Sequence, residues 1–291
     1  MLRTNRDQLI KTAVMGAITS SSARKLPNRA STTREPLVLP SVGGITYNLR
    51  VGDLAAGWQA DHVEPGVSLA VIQRDETHKS IEDGLCLLSC VGNEAVVASG
   101  EASGEKGRVT GKHGGINHVL VDFPEEVKEA LLIGTLVLIK AYGVGLRLLD
   151  FGDVTVTNMD PDLLEAIPAE LIGDKLGFPV THLIPTELMG PCVPQAVYSG
   201  DYDIRLPGKA LVDAYHLDDL RLGDLVAIVS PNSGRAQGFT KEASTIGVIV
   251  HSDSVVVGHG PGVTALMASN RARIIPRVEP HANIVEYLGI R

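Results

Sequence analysis

The sequence predicts an α+β protein that is predominantly β, a strand-rich sandwich or barrel-like core carrying a few short helices. Three observations point there. Short β-branched runs recur along the chain, 31 glycines and 16 prolines supply the turns between them, and 44% of the 291 residues are apolar. A chain of that length buries a sizeable core without disulfides or a structural metal.

The strands are expected at 67–72, 95–98, 118–123, 136–139, 153–157, 225–229 and 245–250, each a run bounded by turn residues. Leu85-Cys86-Leu87-Leu88-Ser89-Cys90-Val91 reads as a further buried strand whose thiols pack as small hydrophobes. Helical signals are fewer. Pro124-Glu125-Glu126 opens one helix with a proline and two acids suited to the helix dipole. Asp160-Pro161 opens another as N-cap and first helical residue, and Pro168 stops it. Thr264 to Ala268 reads as a short helix after a glycine-rich loop. The organisation expected is an N-terminal segment and arm (1–40), a β-rich half (41–158), a helical connector (159–178) and a second β-rich half (179–291).

Charge and composition exclude several classes. Lys and Arg total 26 against 34 Asp and Glu, a net charge of −8, whereas nucleic-acid or anionic-membrane binding calls for a dense cationic face. The longest apolar run, Ala130 to Ile139, is about half the roughly twenty residues that span a bilayer. The opening residues lack an apolar core with a cleavage site, and three cysteines are an odd number, so a reducing cytoplasm is the expected compartment.

Chemistry-bearing residues gather in four places. The first is Gly57-Trp58-Gln59-Ala60-Asp61-His62-Val63-Glu64-Pro65-Gly66. Carboxylate and imidazole both serve as metal ligands and bases, but Asp61 and His62 share a pocket only if the backbone bends, because strand neighbours point to opposite faces. The second is Gly111-Lys112-His113-Gly114-Gly115-Ile116-Asn117-His118, where glycines let the backbone approach a ligand and Lys112 and Asn117 add polar contacts. The third runs from His251-Ser252-Asp253 through Gly258-His259-Gly260-Pro261-Gly262. A hairpin there would separate His251 from His259 by roughly 15–17 Å, so the two would not share a metal. The fourth couples a lone Cys192 between prolines to Gly200-Asp201-Tyr202-Asp203, with Asp201 and Asp203 on one face if extended. No Walker A, His-Glu-x-x-His or Gly-x-Ser-x-Gly motif is present.

Those four motifs together resemble a prokaryotic family, domain-of-unknown-function family 4438, over residues 1–270 or so. The resemblance implies a cytoplasmic, strand-rich protein and carries no assigned activity. It departs at Pro191-Cys192-Val193-Pro194, where the family has a small, glycine-rich stretch. A looser likeness in style to the acetamidase and formamidase group transfers no residue.

The function expected from these residues is a metal-assisted small-molecule hydrolase or lyase. Asp61, His62, His113, His118 and His259 would line its cleft, with a divalent metal as the possible cofactor. Lys112, Gly114, Gly115, Asn117, Gly258, Gly260 and Gly262 are the expected ligand-binding residues. The alternatives are a non-catalytic binder of an anionic metabolite held by the glycine-rich loops, or a structural homo-oligomer. A small-molecule partner and self-association are expected, with no nucleic-acid or membrane partner.

Overall fold

The computed structural model describes residues 2–25, 38–71, 84–190, 198, 200–206, 208–229 and 243–290. The first part of the chain runs β1 (Thr12–Ile18), β2 (Ala23–Lys25), β3 (Val38–Pro40), β4 (Ile45–Thr46), β5 (Gly66–Ala70), α1 (Gly84–Leu88), β6 (Glu94–Val97), β7 (Lys106–His113), β8 (His118–Asp122), α2 (Glu125–Ala130) and β9 (Leu136–Ala141). Then come β10 (Val154–Val156), α3 (Pro161–Ala166), β11 (Glu170–Ile172), β12 (Lys175–Val180), β13 (His182–Pro185), β14 (Tyr202–Asp203), α4 (Lys209–Tyr215), β15 (Leu225–Val229), β16 (Ser244–His251), β17 (Gly262–Ser269), β18 (Ile274–Val278) and α5 (Ile284–Leu288). The predominantly β, α+β class is as the sequence predicts.

The strands β1-β9-β6-β7-β8-β5 pair in that order, and β1 pairs with β5, so six antiparallel strands close into a barrel with β4 appended to β5. Closure removes the sheet edges. Its interior follows the two-residue period: Val67 and Leu69 of β5, Val119 and Val121 of β8, and Val137 and Ile139 of β9 share one buried cluster. β1 comes from the opening segment that the sequence sets apart with the arm, and it is needed to close the ring.

The second sheet runs β10-β17-β16-β15-β13, with β14 pairing the start of β17 at Gly262 and Val263 and β10 its end. Every residue of β16 is buried, because one face (Ile246, Val248, Val250) joins one core cluster while Ile249 joins another. A third sheet, β11-β12-β18, flanks it.

Three local expectations change. The 85–91 run is not a strand: α1 covers its start, and Cys86 and Cys90 are buried near the barrel core. A short apolar run does not by itself distinguish a strand from a buried helix. Burial pushes the Cys90 thiol up to about 12, which keeps it inert. The 264–268 stretch is not a helix but the middle of β17, since Val263 and Ala265 pack into one core while Leu266 and Met267 pack into the other. Only the first part of the 159–178 connector is helical. Asp160 caps α3 by accepting from the Asp162 amide, and β11 and β12 follow Pro168.

Asp122, at the end of β8, carries a pH signature away from the histidine clusters. Burial raises its carboxyl to about 6 against the opposing charges of Lys128 and Arg50. An unfolded Asp titrates near 3.9, so the native state holds this proton more tightly and stability falls as pH rises from about 4 through about 6. Asp122→Asn is expected to remove that slope and to gain about 1–3 kcal/mol at pH 7–8. Urea melts from pH 4 to 8 check this; a slope shared by variant and wild type would contradict it.

Candidate functional site

The site lies where one end of the barrel meets the second sheet. Gly111 of β7 permits the contact, since a Cβ there would collide with Val250 of β16. Thr264 of β17 fastens it: its hydroxyl accepts from the Lys112 amide (3.1 Å) and donates to the Lys112 carbonyl (2.8 Å). The end of β7 thereby places His113 beside His251, the last residue of β16, with ring centroids 4.1 Å apart. A bulge between Ile249 and His251 in the β16–β17 pairing re-aims that last residue.

His62 arrives from the loop before β5. Its φ of +55° is unusual for a residue with a Cβ, and this left-handed turn supplies the bend that the Asp61-His62 pair requires. Four neighbouring bonds hold it: Asp61 N to Pro40 O, His62 N to Asp253 O, Val63 N to Ser252 Oγ, and Ser252 N to Val63 O. The His62 ring then sits 5.9, 5.2 and 5.3 Å from those of His113, His251 and His259.

His251 and His259 do meet, against the hairpin expectation. Residues 255–257 form no strand; Val257 is 99% exposed, and the loop curls back through a His259 N to Val256 O turn. Asp61 anchors the curl by accepting from the Ser254 hydroxyl and the Val255 amide. The carboxylate of Asp203 faces both rings, with Oδ2 2.8 Å from His259 Nδ1 and Oδ1 3.7 Å from His251 Nε2.

The result is two sets of three donors. His113, Asp201 and His251 offer atoms that all lie within 4.8 Å of one another, and so do His62, Asp203 and His259. Outer acceptors orient the rings. His113 Nδ1 donates to Glu64 Oε1 (2.6 Å) and His251 Nδ1 to the Ser252 carbonyl (2.8 Å), leaving Nε2 of each for the interior. His251 Nε2 lies 2.8 Å from Asp201 Oδ2. Asp61 Oδ2 is 3.1 Å from His62 Nδ1, at an angle that leaves this buried nitrogen without a hydrogen-bond partner.

Ligation needs neutral imidazole and ionised carboxylate, a state that His62, Asp61, Glu64 and Asp201 already favour, whereas His251 and Asp203 would have to release a proton to an arriving ion. Burial, then the charge of His251, lowers His62 to about 4. Burial works against ionised Asp201, but His113 and His251 outweigh it and hold the carboxyl at about 2. Asp61 is also held at about 2, by His62, Ser254 and Arg24 against its burial. Glu64 lies well below the usual carboxylate range because His113 and His118 outweigh its complete burial. Burial raises Asp203, and the charge of Asp201 adds to this. Burial disfavours the His251 cation, yet hydrogen bonding to Asp201 and the charges of both aspartates raise it to about 9.

Of the five residues expected to act, His62, His113 and His259 come together. Asp61 stands behind His62, paired with Arg24 at 2.8 Å. His118 falls outside both donor sets, donating from Nδ1 to Glu64 at 3.1 Å. The expected ligand-binding residues mostly serve the framework. Lys112 is fully buried, and its ammonium donates to Asn158 Oδ1 and the Tyr198 carbonyl, both at 2.8 Å. The Gly114 amide donates to Asp201 Oδ1 (2.6 Å), whereas Gly115 and the left-handed Asn117 shape the β7–β8 turn. A Cβ at Gly260 would strike the Ile204 carbonyl, one at Gly262 would overlap His251 Nε2 and Asp201 Oδ2, and Gly258 has a φ of +91° and its carbonyl against Gly190. Glu64, Asp201, Asp203 and His251 were not among the expected site residues. The one-face spacing of Asp201 and Asp203 was the available signal; Cys192 lies outside the described residues.

A family model for the N-terminal domain of DUF4438, a domain of unknown function, matches residues 29–165, and one for its C-terminal domain matches 166–288. The chain belongs to the DUF4438 family. This DUF4438 chain is 44% identical to the protein in a crystal structure of TM1086, with a TM-score of 0.88 over 98% of this chain and 99% of that one. No curated protein matches it. Among the described residues, no helix is long and apolar enough to cross a membrane.

Proposed function

We propose that this DUF4438 chain is a metal-dependent hydrolase of small molecules, with the ion held by the two histidine–aspartate sets; a lyase would use the same device. What supports the reading is the outer layer: His113 and His251 each commit Nδ1–H to a fixed acceptor, His251 turns Nε2 toward Asp201, and His113 lies in the same donor set. Ligating histidines are oriented in this manner in metal sites, and a structural core histidine has no need of two carboxylates on its other edge. Nitrogen and carboxylate donors suit zinc, manganese, iron, cobalt or nickel. Such an ion polarises a carbonyl or phosphoryl oxygen and lowers the pKa of water toward neutrality. The 30%-exposed side chain of His259 marks the side on which the donor sets open toward solvent, where a substrate would reach the ion.

The anion-cradle alternative loses support because the Gly114 amide is spent on Asp201 and the Ile116 amide on the Gly114 carbonyl. Elemental analysis of the purified protein, followed by chelation and reconstitution with each of these metals, tests the proposal against a panel of esters, amides and phosphate esters. Stoichiometric metal and metal-dependent turnover, reduced more than about 100-fold in His251→Ala, are expected. Protein that takes up no metal from growth medium or in reconstitution overturns it.

A further inference from the structure

We infer that the six donors hold two ions of unequal exchangeability: an inner one on His113, Asp201 and His251, and an outer one on His62, Asp203 and His259, with the Asp203 carboxylate between them. The inference rests on the metal reading above and adds the number of ions and their order of release.

Three observations carry it. Asp203 presents one oxygen to each set: Oδ2 stands 2.8 Å from His259 Nδ1, and Oδ1 is turned toward His251 Nε2 at 3.7 Å. A carboxylate so placed spans two ions, and paired ions in hydrolytic centres sit about 3.5–4 Å apart. The ring spacings of 4.1–5.9 Å fit donors arranged around such a pair.

Charge is the second observation. With neutral imidazoles, four carboxylates remain in the cluster, Asp61, Glu64, Asp201 and Asp203, with side chains 0%, 0%, 9% and 9% exposed. Arg24 pairs with the first of them. With Arg24 counted, one divalent ion leaves a net charge of −1 and two leave +1, so the buried charge accommodates a second ion as readily as the first.

The third is the difference between the sets. In the inner one the His251 and His113 side chains are 0% and 9% exposed, and Ser252 and Glu64 lock their Nδ1 atoms. Asp201 is fixed by the Gly114 amide. In the outer set His259 is 30% exposed on a curled loop, and His62 sits on a left-handed backbone with Nδ1 3.1 Å from Asp61 Oδ2 but out of line for a hydrogen bond. Pre-oriented, buried ligands release an ion slowly, whereas loosely supported and accessible ones release it readily.

The test uses the full chain stripped by chelation and titrated with Mn2+ alone, read by calorimetry, by elemental analysis after gel filtration, and by electron paramagnetic resonance. Two ions per chain are expected, in phases differing at least tenfold in affinity, with exchange coupling appearing only as the second loads. His259→Ala, at a half-buried loop position, should retain one ion in the tighter phase and lose the coupling; His259→Gln serves if the first variant melts early. One ion per chain at saturation overturns the two-ion inference and leaves the metal reading standing. No ion at all overturns both. Two indistinguishable phases, or loss of both ions in a folded His259 variant, overturn the inner and outer assignment.

Discussion

Glu64→Ala is expected to destabilise the protein by about 3–5 kcal/mol and to weaken metal binding by at least the 10–100-fold typical of lost outer-layer partners. Glu64 is 0% exposed and accepts from His113 Nδ1 (2.6 Å), His118 Nδ1 (3.1 Å), the Gly43 amide (2.8 Å) and the Ser68 hydroxyl. Removing the carboxylate strands all four donors in a space that water does not readily refill, and each unsatisfied buried group costs about 1–3 kcal/mol. It also frees the His113 ring to rotate, which is why affinity falls along with stability. Glu64→Gln separates the two effects. It keeps the volume but swaps one acceptor oxygen for a donor, so its melt should fall between the others while metal affinity still drops. Denaturant melts and competition with a chromophoric chelator measure both; a Glu64→Ala melt within 1 kcal/mol of wild type would show that the network does not hold the site together.

The second large effect is expected from one added methyl group. A Cβ at Gly262 would overlap His251 Nε2 and lie 2.5 Å from Asp201 Oδ2, at the centre of the inner donor set. Neither neighbour is the loose end of a flexible chain, since His251 is held by the Ser252 carbonyl and Asp201 by the Gly114 amide. Gly262→Ala should therefore reduce metal binding more than about 100-fold and cost about 1–3 kcal/mol through overpacking. Gly152→Ala, where a Cβ meets nothing within 4 Å, is the matched control. Wild-type metal content in Gly262→Ala would mean that the inner set does not bind as described.

The strands were largely legible because their signal is local. Leu136 to Ile139 alternates intermediate and buried, and the apolar run at 225–229 marks a strand buried on nearly every residue. Asp160-Pro161 announced its helix for a similar reason, a cap and a first-turn proline being adjacent in the chain. The misreadings share a cause. Leu85 to Val91 and Thr264 to Ala268 are short apolar stretches whose form depends on what they pack against, and Val255 to Val257 looks like a strand while Val257 stands in solvent.

For the site, residue chemistry named the neighbourhoods but not the partnerships. Asp61, His62, His113 and His259 were visible as clusters; that His118 turns to Glu64, and that His251 and the two aspartates complete the donor sets, was not. Lys112 shows why: on paper it is a cationic group in a glycine-rich loop, and in space it is sealed inside the protein against Asn158.

By itself the sequence determined the β-rich class and most strand positions, and it marked the four stretches rich in His, Asp and Gly, because alternation, turn residues and caps act over a few bonds. Only the tertiary structure decided which imidazoles meet. That depended on barrel closure, on a bulge at the end of β16 and on a left-handed turn at His62. Each of these sets the direction of a side chain through contacts between segments far apart along the chain, and no local pattern records those contacts.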